Sequence, residues 1–127
     1  MKKDTQGIAV MPIPGKGRGV IAQRDFKKGE VLERAPVIVV PPSDVDKIHE
    51  TMVDHYWYEW GEDGSFAIVG GYGSFYNHSF EPNADFFKDI PSLTMEYIVL
   101  RAIKAGEEVI LNYNGPGYDY PVGFDVK

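Results

Sequence analysis

Gly70-Gly71-Tyr72-Gly73-Ser74-Phe75-Tyr76-Asn77-His78-Ser79-Phe80-Glu81-Pro82-Asn83 is a stretch that neither a regular helix nor a regular strand would select. Glycines at 70, 71 and 73 give the backbone freedom. Tyr72 and Tyr76 carry polar tips on aromatic bodies, and Asn77-His78-Ser79 sets three hydrogen-bonding side chains in a row. Pro82 bars a helix or central strand just beyond. Such a composition belongs to a turn or a site.

Working outward toward the N-terminus, Ile8 to Ile13 reads as a short strand ending at Pro14, and Gly15-Lys16-Gly17-Arg18-Gly19 as a turn before a strand over Val20-Ile21-Ala22. Asp25 to Glu30 is a turn. Val31-Leu32 and Val37 to Val40 are apolar and rich in β-branched residues, hence two strands, and Pro41-Pro42 stops the run. Ser43 with Asp46 three residues on predicts a helix start. Val45, Ile48, Met52 and Tyr56 recur at spacings of three and four, one apolar helical face that should end near Gly61. Phe66 to Val69 is a short apolar segment. On the other side, Ala84 to Phe87 and Met95 to Leu100 predict a hairpin around Asp89-Ile90-Pro91-Ser92. A last strand covers Val109-Ile110-Leu111, after a turn at Ala105-Gly106. Many short strands, one main helix and abundant glycine and proline make the expected fold mostly β.

At 127 residues the chain is expected to form one domain over 1–127, and 43% hydrophobic with 25% charged residues is ordinary for a globular protein. No apolar run approaches bilayer length and Met1-Lys2-Lys3-Asp4 lacks an apolar signal segment, so the expected location is the cytoplasm, with no membrane partner. The chain has no cysteine, which excludes disulfides and thiolate zinc sites. A net charge of −6 argues against a nucleic-acid partner. The charge is uneven. Seven acids between residues 43 and 63 face Lys47 alone, either a solvated face or a field that steers a basic peptide.

Asn77-His78-Ser79-Phe80-Glu81-Pro82-Asn83 resembles the Asn-His-Ser…Pro-Asn signature of SET-domain protein lysine methyltransferases. Gly17-Arg18-Gly19-Val20 resembles that family's N-terminal glycine turn, and Gly106-Glu107-Glu108-Val109-Ile110-Leu111-Asn112-Tyr113 its closing segment, in the right order. The resemblance implies small curved sheets around a C-terminal pseudoknot (a β-clip, or SET, fold), with a core at about 17–113 and a short lid at 114–127. It also implies methyl transfer from S-adenosylmethionine to lysine in a protein substrate, a histone tail or another basic protein, with host nucleus as the location for a viral or secreted effector. Minimal viral members act as dimers, which implies a homodimer here. The cysteine-rich flanking segments that bind zinc in larger members are not expected here, since these 127 residues hold no cysteine.

Lysine methylation needs a neutral amine, although free lysine has a pKa of about 10.4. A narrow apolar channel disfavours the ammonium, and hydroxyls can orient the nitrogen without competing as nucleophiles. By resemblance, Tyr113 and Tyr58 are the catalytic candidates. Lys16, Gly17 and Arg18 would hold the cofactor through backbone groups, joined by Asn77, His78 and Tyr113. Tyr118 would cover adenine, with Tyr120 and Phe124 as alternatives. Tyr58, Tyr72 and Leu111 would line the substrate channel, leucine at 111 leaving room for more than one methyl. Tyr76 reads as packing, and Asn83 as a brace for the knot. His49, His55 and His78 match no zinc spacing, so no metal is expected. The alternative to an enzyme is a catalytically idle SET fold that binds a lysine-containing peptide.

Overall fold

The computed structural model describes residues 7–114, which form nine strands, one of them inside the Gly70–Asn83 stretch. They are β1 (Ile8–Ile13), β2 (Gly17–Ala22), β3 (Val31–Val40), β4 (Tyr58–Glu59), β5 (Phe66–Val69), β6 (Asn77–His78), β7 (Ala84–Asp89), β8 (Thr94–Val99) and β9 (Glu108–Leu111). Helix α1 (Pro42–His49) and a 3-10 turn at Met52–His55 lie between β3 and β4. Strand order is β1-β2-β9-β7-β8-β3-β5-β4, with β6 also on β9. Pairing is antiparallel except where β9 runs parallel to β6 and β7. The fold is mostly β with a single helix, as expected.

The period of two explains the core. Met95, Tyr97 and Val99 of β8 are buried while the residues between them are not, and Leu32, Ala35 and Val37 of β3 face the same interior. Val20, Val109 and Leu111 join them, with at most 1% of their surface exposed. A smaller cluster of Val40, Val45 and Trp57 lies under α1. No helix of the described residues is long and apolar enough to cross a membrane.

Four expectations are corrected. The helix begins at Pro42, a residue suited to a first helical turn, and ends at His49 rather than near Gly61. Thr51 breaks it: its extended backbone and hydroxyl, which accepts from Val53 N–H at 3.3 Å and donates to the Ile48 carbonyl at 2.7 Å, start a separate 3-10 turn. Met52 and Tyr56, predicted on the buried face, are therefore 67% and 48% exposed. The glycine turn is shorter than expected, because Gly17-Arg18-Gly19 already pair with β1. Third, the two strands at 31–40 are one, continuous through Glu33-Arg34-Ala35-Pro36 with an irregularity near Leu32. Finally, β4 and β6 form where periodicity shows no strand, each two residues long: β4 pairs back on nearby β5, and β6 is held by β9, distant in sequence.

Candidate active site

β9 brings the separate motifs together. Asn77 stands opposite Ile110 and His78 opposite Leu111, so the Asn77–Asn83 heptapeptide lies along the Gly106–Tyr113 segment. Asn83, only 3% exposed, locks this arrangement: its carboxamide donates to the Glu108 carbonyl at 2.8 Å and accepts from Ile110 N–H at 2.9 Å. That is the bracing role its motif suggested. Ser79 N–H adds a bond to the Leu111 carbonyl at 2.8 Å.

A polar corner forms where β2, β6 and β9 meet. The Asn77 carboxamide donates to the Arg18 carbonyl at 2.9 Å and to the Glu108 carboxylate at 2.7 Å. The other Glu108 oxygen accepts from Lys16 Nζ at 2.9 Å, an ion pair in which both side chains are about five-sixths buried. Gly19 is glycine for a steric reason: a Cβ there would stand 2.6 Å from Asn77 Nδ2 and 2.7 Å from Glu108 Oε2. Gly17 borders open space. Arg18 contributes its carbonyl, while its guanidinium lies over the Phe75 ring, 4.9 Å from the centroid.

His78 is buried, and its Nδ1 accepts from Tyr113 N–H at 3.0 Å, which puts the ring proton of the neutral form on Nε2. Burial lowers its pKa, so the ring stays neutral at physiological pH. The Tyr113 and His78 rings meet edge to face at 5.0 Å. The Tyr113 hydroxyl donates to the Tyr76 carbonyl at 2.5 Å. Burial, with a smaller contribution from Glu108, pushes this phenol up to about 12.

Tyr58 enters from β4. Its hydroxyl donates to the Gly73 carbonyl at 2.7 Å and accepts from the Tyr97 hydroxyl at 3.0 Å. Burial raises its pKa well above that of a free phenol. The ring packs against Phe86, centroids 5.2 Å apart. Tyr72 is half-buried against the core, with its N–H donated to Glu33 at 3.2 Å. Leu111 is fully buried on β9 beside His78. Tyr118, Tyr120 and Phe124 lie outside the described residues, as does the lid beyond Asn114. Among the described residues, no three His, Asp or Glu side chains are grouped to hold a metal.

Lys16, the Arg18 carbonyl and Asn77 thus share one corner; His78, next to Asn77, packs against Tyr113, and Tyr58 is hydrogen-bonded to the Gly73 carbonyl. Three contributors escaped sequence reasoning. Glu108 lay inside a quoted motif without a role. Tyr97 looked like an ordinary inward strand residue. Glu33, 4% exposed, had one signal, a lone acid between buried Leu32 and Ala35.

This architecture and site have relatives. Residues 17–114 match the SET domain model, and the chain belongs to the SET-domain family. It is 32% identical over 99 residues to the Schizosaccharomyces pombe histone-lysine N-methyltransferase specific for H3 lysine-37, covering 77% of this chain and 67% of that protein. It is also 32% identical over 134 residues to the Saccharomyces cerevisiae enzyme specific for H3 lysine-36, covering 92% of this chain but only 17% of that much longer one. A crystal structure of a candidate histone methyltransferase from Plasmodium falciparum superposes with a TM-score of 0.71 at 25% identity, covering 89% of this chain and 95% of the other.

Proposed function

We propose that the protein is a protein-lysine N-methyltransferase that uses S-adenosylmethionine and acts on a basic protein, with a histone tail as the leading candidate. The observation that carries this reading is the pair Tyr58 and Tyr113. They are 55 positions apart in the chain, yet each donates its hydroxyl to a carbonyl of the same short segment, Gly73 and Tyr76 respectively. A phenol committed as donor keeps lone pairs for the N–H groups of an incoming amine. Two such oxygens orient the nitrogen, and the surrounding aromatic walls favour its neutral form.

The polar corner suits the amino-acid end of S-adenosylmethionine. Glu108 matches an α-ammonium, Lys16 matches a carboxylate, and the Asn77 carboxamide can serve either. Gly17 leaves room beside them. When bound, the cofactor supplies a methyl group activated on a sulfonium. The protein's part is to hold, orient and exclude water. Tyr113 is not a base in this scheme, since a phenol at about 12 stays protonated at neutral pH. The proton of the substrate amine is therefore not taken up by Tyr113.

A basic acceptor is favoured by the exposed acids Asp44, Asp46, Glu50, Asp54, Glu59, Glu62 and Asp63, with Glu59 next to Tyr58 on β4. A histone substrate implies a nuclear site of action, and another basic protein implies the cytoplasm. The test is incubation with radiolabelled S-adenosylmethionine, core histones and a basic-protein extract, with Tyr113→Phe in parallel. Label on a protein band that the variant fails to produce is the expected result. Absence of both label and measurable cofactor binding would overturn the reading in favour of an idle peptide-binding module.

A further inference from the structure

Glu33 is a buried acid on the inner face of β3 to which the proposed methyl transfer assigns no chemistry. Its two oxygens have different duties. Oε2 accepts from the Tyr76 hydroxyl at 2.5 Å, and Oε1 accepts from Tyr72 N–H at 3.2 Å. Both donors belong to the Gly70–Tyr76 segment, so one carboxylate grips that segment at both ends of its bend. The backbone has been shaped to it. At Gly71, with φ at +58°, a Cβ would collide with Glu33 Oε1, so the chain passes at a distance only glycine allows. The segment's other end is hung from β3 as well, Gly70 N–H donating to the Pro36 carbonyl at 2.8 Å.

The gripped segment is the one whose carbonyls at Gly73 and Tyr76 receive the Tyr58 and Tyr113 hydroxyls. These carbonyls are three residues apart, and their spacing is set by how the segment is bent around the carboxylate. Tyr76 belongs to both systems: its side chain is held by Glu33 while its carbonyl holds Tyr113. Tyr97 ties them further, stacked near Tyr76 with ring centroids 4.6 Å apart and donating to Tyr58.

We infer that Glu33 is a positioning residue for methyl transfer, bending the Gly70–Tyr76 segment around its carboxylate and thereby fixing the separation and direction of the Tyr58 and Tyr113 hydroxyls. This rests on the methyltransferase reading. The negative charge has a compatible secondary effect. It opposes ionisation of Tyr58, Tyr76 and Tyr97, keeping the cluster as hydroxyls. The polar corner at Lys16, Asn77 and Glu108 is hydrogen-bonded to β2 and β9, so cofactor affinity should depend on Glu33 far less than turnover does.

Three variants test the inference: Glu33→Gln, Glu33→Ala and Tyr76→Phe. A glutamine can still accept from Tyr72 N–H with its oxygen and donate to the Tyr76 hydroxyl with its amide, so it should lose no more than about fivefold in kcat. Alanine releases the segment and should lower kcat by roughly 10- to 100-fold, the scale of a misplaced catalytic group, with the cofactor Kd unchanged within about twofold. Tyr76→Phe removes one link only and should fall between them, which keeps the test decisive if Glu33→Ala does not fold. A folded Glu33→Ala or Tyr76→Phe with wild-type kcat would overturn the inference, as would loss of cofactor affinity in parallel with kcat. NMR of protein labelled with ¹³C at tyrosine Cζ reads hydroxyl geometry without turnover. The Tyr58 and Tyr113 signals should move in Tyr76→Phe, and unmoved signals would also overturn the inference. If wild-type protein transfers no methyl yet those signals move, the enzymatic reading fails while the positioning geometry stands.

Discussion

At the scale of single residues, what distinguishes this site is that its hydroxyls are aimed by main-chain acceptors. With its phenol at about 12 Tyr113 is a poor base at neutral pH, and the role proposed for it is orientation. Tyr113→Phe should leave cofactor affinity within about twofold and lower turnover by roughly 10²-fold or more, the range for a positioned polar group. Steady-state kinetics alongside calorimetric binding checks this, and an unchanged turnover removes Tyr113 from the mechanism. Gly19 offers a complementary change on the other side of the site. Gly19→Ala drives a methyl into Asn77 and Glu108, and should weaken cofactor binding by about tenfold or more, about 1.4 kcal/mol, without altering either tyrosine. Equal Kd values for wild type and variant would show that the polar corner does not hold the cofactor.

At the scale of elements, two-residue strands do the decisive work. β4 and β6 are too short to be stable alone, and each exists because a longer strand offers it partners: β5 for Tyr58, β9 for Asn77 and His78. The β7–β8 hairpin is the opposite case, with six residues paired on each strand, but its turn carries Leu93 at φ +56°, a left-handed backbone that costs a branched residue energy. Leu93 is 49% exposed, so little packing is lost by shortening it. Leu93→Gly should stabilise the fold by up to about 1 kcal/mol, read as a higher denaturant midpoint at unchanged slope. A lower midpoint would mean the leucine side chain holds the turn more than its backbone strains it.

For the whole molecule, the buried phenols couple folding to pH. Tyr58, Tyr76, Tyr97 and Tyr113 all have folded pKa values above the ordinary 10.0, burial being the largest cause of each. Between about pH 10 and 12 the unfolded chain releases tyrosine protons that the folded chain keeps. Stability is therefore full below pH 10 and declines as pH rises through that window, by at most about 1.4 kcal/mol per pH unit for each such tyrosine. Chemical denaturation at pH 9, 10 and 11 should show a steepening loss, smaller in Tyr97→Phe. A flat profile to pH 11 would mean the phenols ionise without strain. Over the same molecule the acids of residues 43–63 stay at the surface, leaving their field available to a basic partner.

The sequence by itself determined the mostly-β class, the hairpin, the outer strands and the motifs that mark the family, because alternation, turn residues and short signatures are local properties. It also made Asn83 legible as a brace. It did not reveal where the helix stops, since Thr51 competes for the Ile48 carbonyl with a side chain that periodicity ignores. Nor did it show that Glu33 lies under the glycine segment, that Glu108 joins Lys16 to Asn77, or that Tyr97 reaches Tyr58. Those contacts join residues separated by 31 to 92 positions, and the docking of β9 on both β2 and β6, with the pairing of β3 with β8 and β5, brings them together. A buried acid or phenol is tolerable only where distant partners satisfy it, so its role is decided by tertiary structure.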